Sequence, residues 1–144
     1  MTTVTQLSVL MDNQKGAMAA VAKILGEAGY NIMALSIAEI DTFGVSRLIL
    51  PDSASAAQLL RKKGYTVRLN PVLVAEVPDR PNGLSHVLSI VQREDISLEY
   101  LYSFVRCTGR DALLIFSFSD IERAANALEE QGIRLLSLEE VLGR

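Results

Sequence analysis

The spacing of apolar residues changes several times along the chain, and each spacing is typical of one kind of element. Leu7, Val9 and Met11 alternate with polar or smaller neighbours, which predicts a strand with one covered face. A helical stripe follows, in which apolar residues recur at i, i+3, i+4 and i+7. The stripe consists of Met18, Val21, Ala22 and Leu25. Gly29 is suited to the left-handed residue that ends this helix.

The first half of the chain continues with two strands, a helix and a closing strand. Residues 31–40 and 45–50 are predicted strands, joined by a turn at residues 41–44. Asp52 or Ser53 can cap the helix that follows, since both residue types are preferred at that position. The apolar face of this helix consists of Ala56, Leu59 and Leu60, and Gly64 is suited to its end. Residues 65–69 are the predicted closing strand.

The second half of the chain repeats the first at low identity. At a shift of 66 residues the aligned pairs include Leu7 with Leu73, Val21 with Val87, Leu35 with Leu101 and Ile49 with Ile115. At a shift of 68 residues they include Asp52 with Asp120, Leu60 with Leu128 and Gly64 with Gly132. Each match falls at the same point of the same pattern, so a duplicated unit is predicted.

The helices of the second half have their own apolar stripes and start signals. Ser119 and Glu122 have the spacing of a capping box, and Gly132 is suited to the end of the same helix. The two stripes are Leu84, Val87, Leu88 and Val91, and Ile121, Ala124, Ala125 and Leu128.

Each half therefore has the order strand, helix, strand, strand, helix, strand. This βαββαβ order is the ferredoxin-like arrangement, in which two helices cover one face of a four-stranded antiparallel sheet. The sequence predicts an α+β protein of two such units, residues 1–70 and residues 71–144. Because the join at Asn70-Pro71 is short, we expect the units to pack together.

The junction between first strand and first helix occupies the same place in both halves, because residues 13–16 align with residues 79–82. Asn13 and Asp79 are candidate N-caps, and Pro81 suits the first turn of a helix. A helix N-terminus has free N–H groups and a partial positive charge, so it can receive a carboxylate. A neighbouring amide or acid can orient an ammonium group, and such a junction therefore suits an α-amino acid.

Two short motifs at these junctions resemble the markers of the ACT domain, a family of small-ligand-sensing regulatory modules. Residues 79–84, DRPNGL, resemble the marker that opens the first ACT helix, with Asn82 at the glycine position, and residues 29–32, GYNI, match the marker before the second strand. Over about residues 6–69 and 72–142 the chain resembles two ACT domains in tandem. The resemblance implies that an amino acid binds at an interface between two ACT units.

The resemblance also implies a set of ligand-binding residues. By position, these are Asn13, Gln14, Lys15, Gly16, Ala17, Met18, Asn31 and Ile32 in the first half, and Asp79 and Arg80 in the second. The halves have diverged, since Gln14-Lys15 replaces Arg-Pro in the first and Ser97 stands in the second where the first has Asn31. We therefore expect unequal sites and favour the first-half set. Loss of binding in both halves, which would leave only a pairing scaffold, stays open.

Composition excludes several other kinds of function. The chain is 49% hydrophobic and 22% charged with a net charge of −3, so it is expected to be globular and to have no affinity for nucleic acid. No apolar run is long enough to span a membrane, and the first residues lack a secretory pattern, which favours the cytoplasm. His86 and Cys107 are single residues of their types, so neither a metal site nor a nucleophilic triad is predicted, and no cofactor is expected.

The sequence thus favours a non-catalytic amino-acid sensor that acts as a homodimer, with an amino-acid biosynthetic enzyme as a possible partner. Tyr100, Tyr102 and Phe104 alternate along one strand and predict a sheet-packing or dimer surface. Two alternatives remain. One is the regulatory subunit of a biosynthetic enzyme such as acetolactate synthase, and the other is a small ferredoxin-like enzyme.

Overall fold

The structure is a computed structural model that describes residues 2–12, 14–40, 42–104 and 111–143. Strands and helices follow one another in nearly the predicted order. The strands are β1 (Val4–Asp12), β2 (Ala34–Ile40), β3 (Phe43–Ile49), β4 (Thr66–Pro78), β5 (Leu98–Ser103) and β6 (Asp111–Phe118). The helices are α1 (Ala17–Glu27), α2 (Ser53–Lys62), α3 (Gly83–Arg93), α4 (Ile121–Glu130) and α5 (Leu138–Leu142). The α+β class predicted from the sequence is confirmed.

The chain forms two compact units. The N-terminal unit is Thr5–Asn70, and the C-terminal unit begins at Pro71 and includes the residues that precede Thr5. Strand β4 runs through the boundary without a break, so its first residues belong to one unit and its remainder to the other.

In the N-terminal unit the strand order is β2-β3-β1-β4. Strand β3 pairs antiparallel with both neighbours, and Leu48 lies opposite Leu7 on one side and Leu35 on the other. One face of the sheet packs against α1 and α2, as the alternation along β1 predicts. The fully or nearly buried residues of this core are Leu7, Val9, Met11, Val21, Leu25, Leu48, Leu50, Ala56, Ala57 and Leu60.

In the C-terminal unit β4, β6 and β5 are neighbours in that order, and both pairs are antiparallel. Helices α3 and α4 contribute Val87, Ile90, Ala124 and Leu128 to the core beneath them. Leu84, predicted in that core, is instead 37% exposed, although Gly83 immediately before it is buried.

The closing strand of the C-terminal unit is reduced to a single bridge. Leu135 pairs with Ala75, and backbone hydrogen bonds join Glu76 to Arg134 and Leu136 to Val74. The short helix α5, which the sequence pattern did not predict, follows at once. Its N-cap is Ser137, which forms a capping box with Glu140.

The predicted capping box at Ser119 and Glu122 is wrong. The N-cap of α4 is Asp120, whose carboxylate accepts a hydrogen bond from the backbone N–H of Arg123 at 3.1 Å. The hydroxyl of Ser119 accepts from the backbone N–H of Ser97 at 3.0 Å instead. The side chain of Ser119 therefore holds the loop before β5, and the cap belongs to the next residue.

Residues with left-handed backbone conformation confirm the duplication independently of side-chain pattern. They fall at equivalent positions of the two units, because each pair closes or opens the equivalent helix. The pairs, with their φ angles, are Gly16 (84°) with Asn82 (69°), Gly29 (88°) with Asp95 (56°), and Gly64 (92°) with Gly132 (80°).

The aromatic row on β5 packs inside the fold. Tyr102 and Phe104 are 9% and 6% exposed, and the rings of Tyr100 and Tyr102 are stacked with centroids 6.4 Å apart. Leu101, on the opposite face of the strand, packs against the core beneath α3 and α4. The sheet-packing interpretation therefore accounts for this row without a dimer.

Candidate ligand site

The turn between the first strand and the first helix has the same backbone hydrogen bonds in both units. In the N-terminal unit the N–H of Gln14 donates to the carbonyl of Asp12 at 2.8 Å, and the N–H of Ala17 donates to the carbonyl of Gln14 at 3.2 Å. In the C-terminal unit Arg80 donates to Pro78 at 2.9 Å and Gly83 donates to Arg80 at 3.0 Å. Two different sequences, Gln-Lys-Gly and Arg-Pro-Asn, thus form one turn.

This turn places the helix start later than the sequence pattern predicts. The N-cap of α1 is Gly16 and that of α3 is Asn82, both in the left-handed conformation. The prediction that Asp79 caps α3 is therefore wrong, and Pro81 lies in the turn before the helix. Asn13, the other predicted cap, lies outside the described residues. The helices begin later than predicted because the two hydrogen-bonded turns occupy three residues that a simple capping pattern assigns to the helix.

Neither of these two N-caps supplies a side-chain hydrogen bond to its helix. By contrast, α2 and α4 are capped by the carboxylates of Asp52 and Asp120, which accept from Ser55 and Arg123, each at 3.1 Å. The N–H groups of Ala17 and Gly83 donate within the turns, so in each helix the N–H groups of the next two residues are left to water or to a ligand, with the partial positive charge of the helix behind them.

A cleft of about 450 Å³ lies in the N-terminal unit beside the start of α1. It is formed by the end of β1, the first turn of α1, the start of β3 and the loop from α2 into β4. Its lining residues are Leu10, Met11, Asp12, Gln14, Ala17, Phe43, Gly64, Tyr65 and Thr66. Asp12 is the acid among these described residues, which include no lysine or arginine. Leu10 and Phe43 are 42% and 36% exposed.

The structure brings part of the predicted ligand set to this cleft. Gln14 and Ala17 line it. The exposed Lys15 and Gly16 lie between these two residues in the chain, and Met18 is half-buried against the core. The sequence analysis missed the other lining residues.

Asn31 and Ile32 lie elsewhere in the N-terminal unit. They precede β2 and therefore follow the C-terminal end of α1. Since α1 has 11 residues, about 16 Å of helix separates them from the first-turn residues. Within the N-terminal unit the two parts of the predicted set therefore cannot contact one small ligand together.

Asp79 and Arg80 are exposed in the turn before α3.

In the C-terminal unit, charged residues stand at the positions that correspond to two residues of the cleft. Glu76 corresponds to Leu10, and Arg134 corresponds to Thr66. Arg134 forms ion pairs with Glu76 at 3.6 Å and with Glu140 at 2.8 Å. The hydrogen bond from Arg134, supported by the backbone and hydroxyl of Ser137, lowers the pKa of Glu140 below its ordinary value of 4.5.

The described residues contain no group of three or more His, Cys, Asp and Glu side chains placed to hold a metal ion. His86 is exposed on α3, and Cys107 lies outside the described residues. In the part of the chain that the structure describes, no helix is both long and apolar enough to cross a membrane.

Comparison with known proteins places this geometry in a family. Residues 1–142 match a family model described as an ACT domain pair. A protein from Bacteroides thetaiotaomicron has a crystal structure that is 28% identical with a TM-score of 0.88, over 96% of this chain and 94% of that one. No curated protein sequence matches the chain.

Two more distant structures share the fold. The ligand-free regulatory subunit of aspartate kinase from Thermus thermophilus is 14% identical with a TM-score of 0.65, over 90% of this chain and 93% of that one. The regulatory subunit of aspartate kinase from Thermus flavus is 15% identical with a TM-score of 0.61, over 88% and 90%.

Proposed function

The chain belongs to the ACT domain pair family, and from that premise we propose that it is a non-catalytic regulatory protein that binds an amino acid. The observation that carries the proposal is the cleft of about 450 Å³ beside the uncapped start of α1. The cleft is lined both by an acid, Asp12, and by Ala17, the first residue of α1, and an acid together with a helix N-terminus is the charge pattern that a zwitterion requires.

In this proposal the ligand carboxylate accepts hydrogen bonds from the N–H groups of the second and third residues of α1, since that of Ala17 already donates to Gln14. The carboxylate of Asp12 and the amide of Gln14, which both line the cleft, receive the ammonium group. Asn13, Lys15, Gly16 and Met18 stay in the predicted set as the backbone around this contact. Asn31 and Ile32 lie too far along α1, so we propose that they contact the ligand only when a second ACT unit brings them to it.

Binding of the amino acid would regulate the protein by shifting its equilibrium between different arrangements of ACT units. A ligand held by two ACT units stabilises the arrangement that presents both walls, and the shift equals its differential affinity for the two arrangements. A homodimer is the simplest such assembly, and the cytoplasm, where free amino acids are abundant, is the proposed compartment.

The test is titration of the full chain with each of the twenty amino acids by calorimetry and by thermal shift. We expect stabilisation by a small subset. Asp12→Asn should weaken binding at least about tenfold, because a hydrogen bond to a charged group contributes roughly 1.5–3 kcal/mol. Asp111→Asn is the control, since Asp111 is an exposed acid at the start of β6, in the C-terminal unit and outside the lining of the cleft. No response to any amino acid would overturn the proposal.

A second candidate is the regulatory subunit of an amino-acid biosynthetic enzyme. The near full-length likeness to the Thermus aspartate kinase subunits favours it, although this likeness rests on fold. Co-expression with the aspartate kinase and acetolactate synthase catalytic chains of the same genome, followed by size-exclusion chromatography, tests it. Co-elution with one catalytic chain and a ligand-dependent change in its activity are expected if it is right.

A further inference from the structure

We propose that the cleft of the N-terminal unit selects amino acids with a large apolar side chain, and that Leu10 and Phe43 determine this specificity. The inference rests on the proposed function, and it names the class of ligand that the same site takes.

The register of the sheet places these two residues on one surface. Phe43 lies directly opposite Asp12, and Leu10 lies two residues before Asp12 on the same strand. Because side chains alternate along a strand, Leu10, Asp12 and Phe43 share the sheet face that points away from the core of Met11 and Val9. An amino acid whose ammonium group contacts Asp12 therefore has its side chain within reach of Leu10 and Phe43.

These apolar side chains are incompletely buried in the chain alone. Leu10 is 42% exposed and Phe43 is 36% exposed, whereas Met11, which lines the cleft from the other face, is only 7% exposed. Covering the first two removes apolar surface from water, which is the favourable term for an apolar ligand group. A cleft of about 450 Å³ has room for a leucine, methionine or phenylalanine side chain.

The charges of the cleft disfavour the other classes of amino acid. Among the described residues that line it, Asp12 is the single carboxylate, and lysine and arginine are absent. With Asp12 paired to the ligand ammonium, a second charge on the ligand side chain would lose water without gaining a partner. Acidic and basic amino acids are therefore expected to bind weakly, and small ones to leave Leu10 and Phe43 uncovered.

The experiment compares ligands of similar length on the full chain by calorimetry. Leucine, methionine and phenylalanine should bind at least about tenfold more tightly than glutamate, glutamine, lysine and alanine, as one or two methylene groups suffice for such a ratio. Phe43→Ala and Leu10→Ala should each weaken leucine binding about tenfold, and each should reduce the ratio of the affinity for leucine to the affinity for alanine. The matched control is Leu98→Ala, because Leu98 is also 36% exposed but lies on β5, outside the cleft.

The outcomes separate the two proposals. Tight binding of a charged or polar amino acid, or unchanged leucine affinity in both cleft variants, overturns the specificity and leaves the sensor standing. A failure of every amino acid to bind overturns both. Circular dichroism of each variant must match that of the wild type, and since both residues are exposed we expect it to.

Discussion

Gly83 lets the first turn of α3 pass directly over the end of β4. A Cβ atom at this position would overlap the carbonyl oxygen of Pro78, which is backbone and cannot rotate away. Its counterpart in the N-terminal unit is Ala17, where a methyl group is present. The two junctions have the same hydrogen bonds, but only in the C-terminal unit does the helix approach the strand too closely for a side chain. Packing therefore requires the glycine of the ACT-like marker in the C-terminal unit alone.

We expect Gly83→Ala to destabilise the protein by about 1–3 kcal/mol, the usual range for overpacking. Urea unfolding measures the loss. The control is Gly26→Ala in the last turn of α1, where nothing lies within 4 Å of the added methyl group. That change should stabilise the chain by roughly 0.5–1 kcal/mol, because alanine is the better helix former. Equal stability of the two variants would contradict the close approach.

Single residues also explain why some predicted roles were wrong. Asp79 is of the right type to cap a helix, but the cap is Asn82, because two hydrogen-bonded turns come first. Residue preference identifies a junction, while the number of residues in the turn is decided by the distance between strand and helix.

At the scale of elements, α5 is held by charge and by its cap. Arg134 contacts Glu140 at 2.8 Å, and the Glu140 carboxylate also accepts from the backbone N–H of Ser137 at 3.1 Å. These bonds favour the ionised form, so the folded-state pKa of Glu140 lies below its unfolded value of 4.5. Its contribution to stability is therefore complete above pH 4.5 and is lost as pH falls through the lowered pKa.

This predicts a pH-dependent difference between the wild type and Glu140→Gln. In urea unfolding the wild type should be the more stable protein near pH 7, and the difference should shrink as the pH falls to about 3. Glu139→Gln is the control, since the side chain of Glu139 lies outside the capping box. A difference that stays constant over this range would show that Glu140 acts through packing alone.

At the scale of the whole molecule, the two units are duplicates in which corresponding positions carry different side chains. The N-terminal unit has a cleft lined by Leu10 and Thr66 among others, while the corresponding positions of the C-terminal unit, Glu76 and Arg134, are joined in an ion pair. Equivalent backbone positions thus line a cleft in one copy and carry a partly exposed charge network in the other.

We therefore expect one amino acid to bind per chain. Calorimetry should give a stoichiometry of one, Gln14→Ala should weaken binding, and Arg80→Ala, at the equivalent place in the C-terminal unit, should leave it unchanged. Two equivalents per chain, or a loss of binding in Arg80→Ala, would show that Asp79 and Arg80 belong to a working site.

The sequence by itself determined what depends on neighbours along the chain. The alternation along β1 predicted its covered face, and the repeat predicted two βαββαβ units, with left-handed residues such as Gly64 and Gly132 at the helix ends. The family marker at residues 79–84 identified the junction before α3, and the repeat located its counterpart at Gln14 to Ala17, because both turns are local.

Only the tertiary structure decided which residues share the cleft. Asp12 meets Phe43 through strand register, and Tyr65 joins them from the loop after α2, so the lining comes from three separate segments. The tertiary structure also reduced the closing strand of the C-terminal unit to a single bridge at Leu135, and it placed Asn31 beyond the C-terminal end of α1. Pairings between distant segments depend on how packed elements meet, and no local spacing of residues records that.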